Sequence, residues 1–314
     1  MSLLLAVTGW DEAPWIERFK RHLPEHPILT PATLTDRASI RFGVSWRHAP
    51  GAFAGLPNLK ALFSLGAGVD HMARDPLLPH APIVRVVDPD LRDRMSEWVV
   101  MHALMHLRGV RRLERQQAAR AWRDDPNQPA ARDVRVGLMG LGALGADAAR
   151  KLSLLGFRTM GWSRTARALA DVESFHGADG LGAMLARTDI LVCLLPLTEA
   201  TRGILNARLF AKLARDGRLG GPVLLNAGRG GLQVETDILA ALDGGTLKAA
   251  SLDVFETEPL PQASPLWAHS DIWISPHDAA MSEPDAVART VAASILAFER
   301  GEPLRNVVDP ALGY

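Results

Sequence analysis

A single cysteine stands in 314 residues, and 35 acidic side chains offset 35 basic ones. The lone Cys193 excludes an intrachain disulfide, and its place inside the apolar run Ile190 to Leu195 reads as a buried small hydrophobe rather than a nucleophile. Balanced charge gives no field to draw the chain to nucleic acid or an anionic membrane surface, so the expected partner is a small molecule. No stretch approaches the roughly 18 uninterrupted apolar residues of a membrane span. The opening Met1-Ser2-Leu3-Leu4-Leu5-Ala6-Val7 lacks the basic flank and the length of a secretory signal, and a cytoplasmic location is expected. The chain also lacks a G-x-S-x-G elbow, which argues against a serine hydrolase, and no metal site is expected. Internal repeats and low-complexity tracts are missing too.

What is present is an ordinary globular composition, 47% apolar and 22% charged, in a chain about twice the usual domain length, so two domains are expected. Short apolar runs at residues 3–7, 40–46, 59–65 and 83–87 are separated by Pro/Gly turns and predict a small α/β unit. Within it, Ser64-Leu65-Gly66-Ala67-Gly68-Val69-Asp70 opens a strand end into two glycines, a turn that can serve as an anion nest or as a plain turn. A helical pattern from Ser96 to Trp122 follows, apolar nearly all round in its first half, as suits a domain boundary or subunit contact. Further apolar runs at 158–162, 190–195, 223–225, 249–254 and 272–274 alternate with helical patterns, which predicts a parallel sheet covered on both faces. The last pattern, residues 284–300, is an amphipathic helix.

The centre of this alternation is Val134-Arg-Val-Gly-Leu-Met-Gly140-Leu-Gly142-Ala143-Leu144-Gly145, a strand running through G-x-G-x-x-G into a helix. The first glycine permits a tight turn, the second admits a pyrophosphate to the backbone, and the third lets helix and strand pack closely. A dinucleotide is therefore expected here. The next strand ends in Ser163-Arg164-Thr165 with no carboxylate to accept from a ribose 2′-OH, while Ser163, Arg164 and Arg167 suit a 2′-phosphate. NADPH is expected over NADH.

Three later strand ends carry polar groups: Asn226-Ala227-Gly228-Arg229-Gly230, Asp253-Val254-Phe255-Glu256-Thr257-Glu258-Pro259, and Ser275-Pro276-His277. Each alone has a plain reading as a surface or turn residue. Together, at one edge of one sheet, an arginine, a carboxylate and a histidine are placed to converge on a ligand.

These segments, with Leu195-Pro196-Leu197-Thr198 and the glycine motif, resemble in order the signatures of the D-2-hydroxyacid dehydrogenase family. Ser64 to Asp70 and Met95-Ser96-Glu97-Trp98 are most similar to its glyoxylate/hydroxypyruvate reductase A branch. The resemblance implies two Rossmann-like parallel-sheet domains: a flavodoxin-like substrate-binding domain of residues 1–98 and 281–314, and a doubly wound dinucleotide-binding domain of residues 99–280. It puts the active site in the cleft between them. It further implies that Arg229 holds a 2-oxo acid, that His277 is the general acid, and that Glu258 favours the protonated imidazole. Backbone N–H groups of Ala67 and Gly68 would bind the substrate carboxylate, and Asp253 the nicotinamide carboxamide. Gly140, Gly142, Ala143, Leu144, Gly145, Ser163, Arg164, Thr165, Leu195, Pro196, Thr201, Ala227, Gly228 and His277 complete the expected cofactor contacts. Met95 and Trp46 depart from the common pattern and are expected to narrow the substrate pocket. A homodimer that reduces small 2-oxo acids follows from the resemblance. A nicotinamide-sensing, corepressor-like interaction protein is the alternative that it leaves open.

Overall fold

The computed structural model describes residues 1–73 and 75–309, which form two compact units, Met1–Leu91 with Ser282 onward and Arg92–Met281. In unit 1, β1 (Ser2–Val7) leads to α1 (Glu12–His22), whose first turn is capped by Asp11 accepting from the Ala13 N–H. Then come β2 (Ile28–Leu29), β3 (Ile40–Trp46), β4 (Ala61–Ser64), α2 (Asp70–Ala73) and β5 (Ile83–Val84). All five strands are parallel, in the order β2-β1-β3-β4-β5. Both faces are covered, which explains why β1 reads as continuous apolar residues rather than an alternation. Leu3 and Leu5 lie in a core with Trp15 and Phe19 of α1 and Val287, Val291 and Ile295 of the final helix Pro284–Glu299. Leu4 and Ala6 lie in another with Phe53, Leu56 and Met72.

The helix α3 (Pro89–Arg108) begins in unit 1 and continues into unit 2. The single helical pattern expected from Ser96 to Trp122 is two helices instead. Gly109 adopts φ +62°, which is open to glycine at little cost and stops α3 before α4 (Val110–Ala118). Trp122 lies beyond α4 and is fully exposed.

Unit 2 continues with β6 (Arg135–Met139), α5 (Ala143–Leu154), β7 (Arg158–Ser163), β8 (Glu173–His176), α6 (Gly177–Leu185), β9 (Ile190–Cys193) and α7 (Ala207–Phe210). β10 (Val223–Asn226), α8 (Glu235–Asp243), β11 (Ala249–Leu252) and β12 (Ile272–Ile274) complete it. The seven strands are parallel, ordered β12-β11-β10-β9-β6-β7-β8. Strand order reverses where β6 lies between β7 and β9, and ligands of such sheets gather at the carboxyl ends of the strands at that point. The glycine motif follows β6 there. β8 has no counterpart among the expected strands, because an edge strand reading Glu-Ser-Phe-His carries too little apolar signal. Among the described residues no helix is long and apolar enough to cross a membrane.

Candidate active site

In unit 2 the three glycines after β6 have three different steric reasons. Gly140 has φ +106°, and a Cβ there would come 2.9 Å from the Leu194 carbonyl oxygen. At Gly142, the N-cap of α5, a Cβ would meet nothing within 4 Å, so the backbone at the positive end of the helix dipole faces open space. A Cβ on Gly145 would stand 1.8 Å from the Gly140 carbonyl oxygen, so only glycine lets α5 start this close to the turn. Open backbone at a helix start, beside a turn that a side chain would fill, fits a dinucleotide pyrophosphate.

After β7, Ser163 is buried and its hydroxyl donates to the Thr165 carbonyl at 2.7 Å, so its hydrogen shapes the turn. Arg164, Thr165 and Arg167 are exposed, and Arg167 donates to the Leu141 carbonyl at 3.3 Å, which draws it to the glycine turn. After β9, Thr201 staples the loop: its hydroxyl donates to Pro196 O at 2.7 Å and accepts from Thr198 N at 2.8 Å. Leu195 and Ala227 are buried. Cys193 is fully buried, and burial pushes its thiol up to about 12, which leaves no thiolate at neutral pH.

The arginine, carboxylate and histidine follow β10, β11 and β12, three adjacent parallel strands. Arg229 is half-buried at the head of a short 3₁₀ turn and donates to the Gly228 carbonyl at 2.7 Å. Asn226 is wholly buried; it donates to the Gln233 side chain at 2.8 Å and accepts from Gly228 N at 3.1 Å, which fixes the backbone on both sides of Arg229. A Cβ on Gly230 would lie 1.7 Å from the Phe255 carbonyl oxygen, so this turn rests directly on the loop after β11. Backbone N–H groups of Glu235 and Glu256 each donate to the other's carboxylate, at 2.9 and 2.8 Å, joining the same two segments.

Both Glu258 oxygens are engaged: Oε1 accepts from Phe255 N at 3.1 Å, and Oε2 lies 2.8 Å from Nδ1 of His277. The pair is partly open, with 31% of the imidazole and 21% of the carboxylate exposed. With Nδ1 occupied by the carboxylate, Nε2 is the nitrogen left to exchange a proton with a ligand. His277 holds φ +58°, a left-handed conformation uncommon outside glycine. Asp253, expected to meet a carboxamide, is 1% exposed, and its oxygens accept from Ser275 Oγ, Asp278 N and Ala279 N.

In unit 1, the Ser64 hydroxyl ties the glycine turn together, donating to Gly68 O at 3.0 Å and accepting from Gly66 N at 3.2 Å. The Trp46 ring lies against Gly66, where a Cβ would approach it to 2.8 Å. Trp10 stacks on Trp46 with centroids 4.9 Å apart and His71 packs at 5.2 Å, so an aromatic wall stands beside Ala67 and Gly68.

Residues 100–279 match the family model described as D-isomer specific 2-hydroxyacid dehydrogenase, NAD binding domain. The chain belongs to the D-isomer specific 2-hydroxyacid dehydrogenase family. Among curated relatives, a glyoxylate/hydroxypyruvate reductase A of Serratia proteamaculans is 38% identical, covering 100% of both chains. Among solved structures, an NADPH-dependent glyoxylate/hydroxypyruvate reductase of Sinorhizobium meliloti, in complex with NADP and sulfate, is 47% identical with a TM-score of 0.94, covering 100% of this chain and 99% of that one. A family member from Xanthobacter autotrophicus Py2, in complex with NADPH and MES, is 37% identical with the same TM-score and the same coverage.

In this member of the D-isomer specific 2-hydroxyacid dehydrogenases, Met95 is buried in the same apolar cluster as Trp98, Ala227 and Ala279. Sequence reasoning passed over Gln233 altogether. Its signal is weak: a lone amide just before a helix, buried because it bridges Asn226 and the Val254 carbonyl, 2.9 Å away.

Proposed function

We propose that the protein reduces small 2-oxo acids, glyoxylate and hydroxypyruvate foremost, with NADPH preferred to NADH. The observation that carries this reading is the Glu258–His277 pair, with an exchangeable Nε2, after a strand of the same sheet that holds Arg229 and the glycine turn. The names of the two reductases described above, and the NADP bound to the Sinorhizobium meliloti enzyme, support it.

When bound, the nicotinamide supplies a hydride to the 2-carbon of the acid. Nε2 of His277 gives the proton that the carbonyl oxygen takes up, so one hydride and one proton convert the ketone to the alcohol. Glu258 accepts from Nδ1–H, which fixes the tautomer and the orientation of the ring. The Arg229 fork grips the carboxylate and polarises the carbonyl, a geometry that lysine cannot reproduce. The N–H groups of Ala67 and Gly68 hold the carboxylate as well. Trp46 and Met95 limit the side chain that follows the 2-carbon. Backbone at Gly140, Gly142, Ala143, Leu144 and Gly145 would carry the pyrophosphate, and Arg164 and Thr165 the 2′-phosphate, with Ser163 expected as a direct donor but instead shaping their turn. Leu195, Pro196, Thr201, Ala227 and Gly228 would line the nicotinamide side. A cytoplasmic homodimer belongs to the same reading, and the exposed Met101 and Leu113 of α3 and α4 suit a subunit contact.

The test is a panel of glyoxylate, hydroxypyruvate, pyruvate and phenylpyruvate with both nucleotides. His277→Ala and Arg229→Ala should each lower turnover by roughly a hundredfold or more, since general-acid catalysis contributes about 10²–10⁴. Near-native turnover in either variant, or phenylpyruvate as the best substrate, overturns the assignment.

A further inference from the structure

Behind the His277 turn runs a chain of hydrogen bonds that starts on a distant helix. The indole N–H of Trp98, on α3, donates to Ser275 Oγ at 3.1 Å, and Ser275 Oγ lies 2.6 Å from Asp253 Oδ1. Asp253 Oδ1 also accepts from Asp278 N and Ala279 N, both at 3.1 Å, and its Oδ2 accepts from Ala279 N at 3.2 Å. Chemistry fixes the direction of this chain. An indole N–H can only donate and an ionised carboxylate can only accept, so the Ser275 hydrogen must point at Asp253 while its oxygen receives the indole.

The two backbone N–H groups that Asp253 holds are those immediately after His277. A non-glycine residue in the left-handed region is strained and persists where its surroundings over-determine it. Here the ring is held by Glu258 on one side, and the following backbone by Asp253 on the other. Burial pushes the Asp253 carboxyl up from its ordinary value, and the Ser275 hydroxyl, the two N–H groups and the neighbouring His277 oppose that push. Trp98 itself is 6% exposed, so water is poorly placed to replace its donor.

We propose that Trp98 and Ser275 are positioning residues that orient the Asp253 carboxylate, which in turn holds the left-handed turn presenting His277. The kinetic side of this inference rests on the reductase reading above. The structural side does not.

The experiment compares native protein, Trp98→Phe, Ser275→Ala, Ser275→Thr and the Trp98→Phe/Ser275→Ala double variant. Two readouts are taken: steady-state reduction of glyoxylate with NADPH, and amide hydrogen exchange of residues 277–279 in protein without nucleotide or substrate. Loss of one hydrogen bond from this chain, to the Ser275 hydroxyl in Trp98→Phe and to the buried carboxylate in Ser275→Ala, predicts that each variant speeds exchange roughly tenfold. Each should also lower kcat by roughly tenfold with KM within about twofold of native. The double variant should resemble Ser275→Ala alone, because Trp98 acts through that hydroxyl, and Ser275→Thr should restore both readouts. Native exchange rates in Trp98→Phe, multiplying effects in the double variant, or failure of threonine to rescue each overturn the proposal. If Ser275→Ala does not fold, Trp98→Phe and Ser275→Thr still decide it. Faster exchange in a protein that reduces no 2-oxo acid would refute the reductase reading and leave the positioning role standing.

Discussion

Acidifying the protein from pH 7.5 to pH 5 should destabilise it through His102 before most carboxylates are protonated. This residue of α3 is 4% exposed, packs tilted against Trp98 with centroids 4.2 Å apart, and has a buried Nδ1 with no hydrogen-bond partner among the described residues. Burial pushes its pKa from 6.5 down to about 4. Because the folded value lies below the unfolded one, the unfolded chain binds more protons between these two pH values. Stability is therefore complete above pH 6.5 and falls as the pH drops toward 4. The full gap corresponds to about 3 kcal/mol at 1.36 kcal/mol per pH unit, and about 2 kcal/mol of it is lost by pH 5. His106, one turn on, is pushed to about 3 by burial and then by the charges of His102, Lys248 and Arg111, and acts in the same direction. Asp147, by contrast, is raised by its own burial but lowered more by Lys151, Ser96 and Arg150, to about 2, so its contribution persists through this window. The assay is urea unfolding at half-unit pH steps, in native protein and in His102→Phe, which keeps an aromatic ring against Trp98 and cannot titrate. The loss between pH 7.5 and 5 should shrink by about 2 kcal/mol in the variant. Equal losses in the two proteins would refute the reasoning, since the imidazole would then not be the group that takes up the proton.

The remaining predictions concern the proposed activity. Glu258→Ala should lower kcat for glyoxylate reduction, because the imidazole loses the carboxylate that fixes its ring and tautomer; native turnover removes Glu258 from that role. Ser163→Asp with Arg164→Ala should lower the NADPH/NADH ratio of kcat/KM by roughly 10- to 100-fold, the value of about one charged hydrogen bond, and an unchanged ratio would place 2′-phosphate recognition elsewhere. Gly145→Ala puts a methyl 1.8 Å from the Gly140 carbonyl oxygen. Overpacking of this kind costs about 1–3 kcal/mol, so both Tm and NADPH affinity should fall, and a native Tm would show that α5 can retreat freely.

The parts of this molecule that could be read in advance are those whose cause is local. Gly145 answers a steric demand from Gly140, five residues back, Gly142 starts the helix that follows it, and the strand ends at Arg229, Glu258 and His277 follow from alternation alone. The helix break at Gly109 was less visible, because one glycine in a helical pattern does not reveal its φ. Hydrogen bonds made across the sheet were invisible. Nothing around Asp253 discloses that its carboxylate serves the turn at 275–279, and Trp98 and Ser275 are 177 positions apart. Ser163 shows the same limit at short range: its hydroxyl looks outward in the sequence and turns inward to Thr165 in the fold.

The discontinuity of unit 1 has a bearing on the order in which the chain folds during synthesis. Residues 92–281 are contiguous and can close their sheet as soon as they emerge. The first 91 residues cannot, because Val287, Ala288, Val291, Ala292 and Ile295 supply one wall of their core. Until the ribosome has released the final helix, Leu3, Leu5, Phe42, Val44 and Phe63 lack that wall, and a nascent chain waiting in this state is prone to associate with others. Strands made before the contiguous unit are thus secured after it.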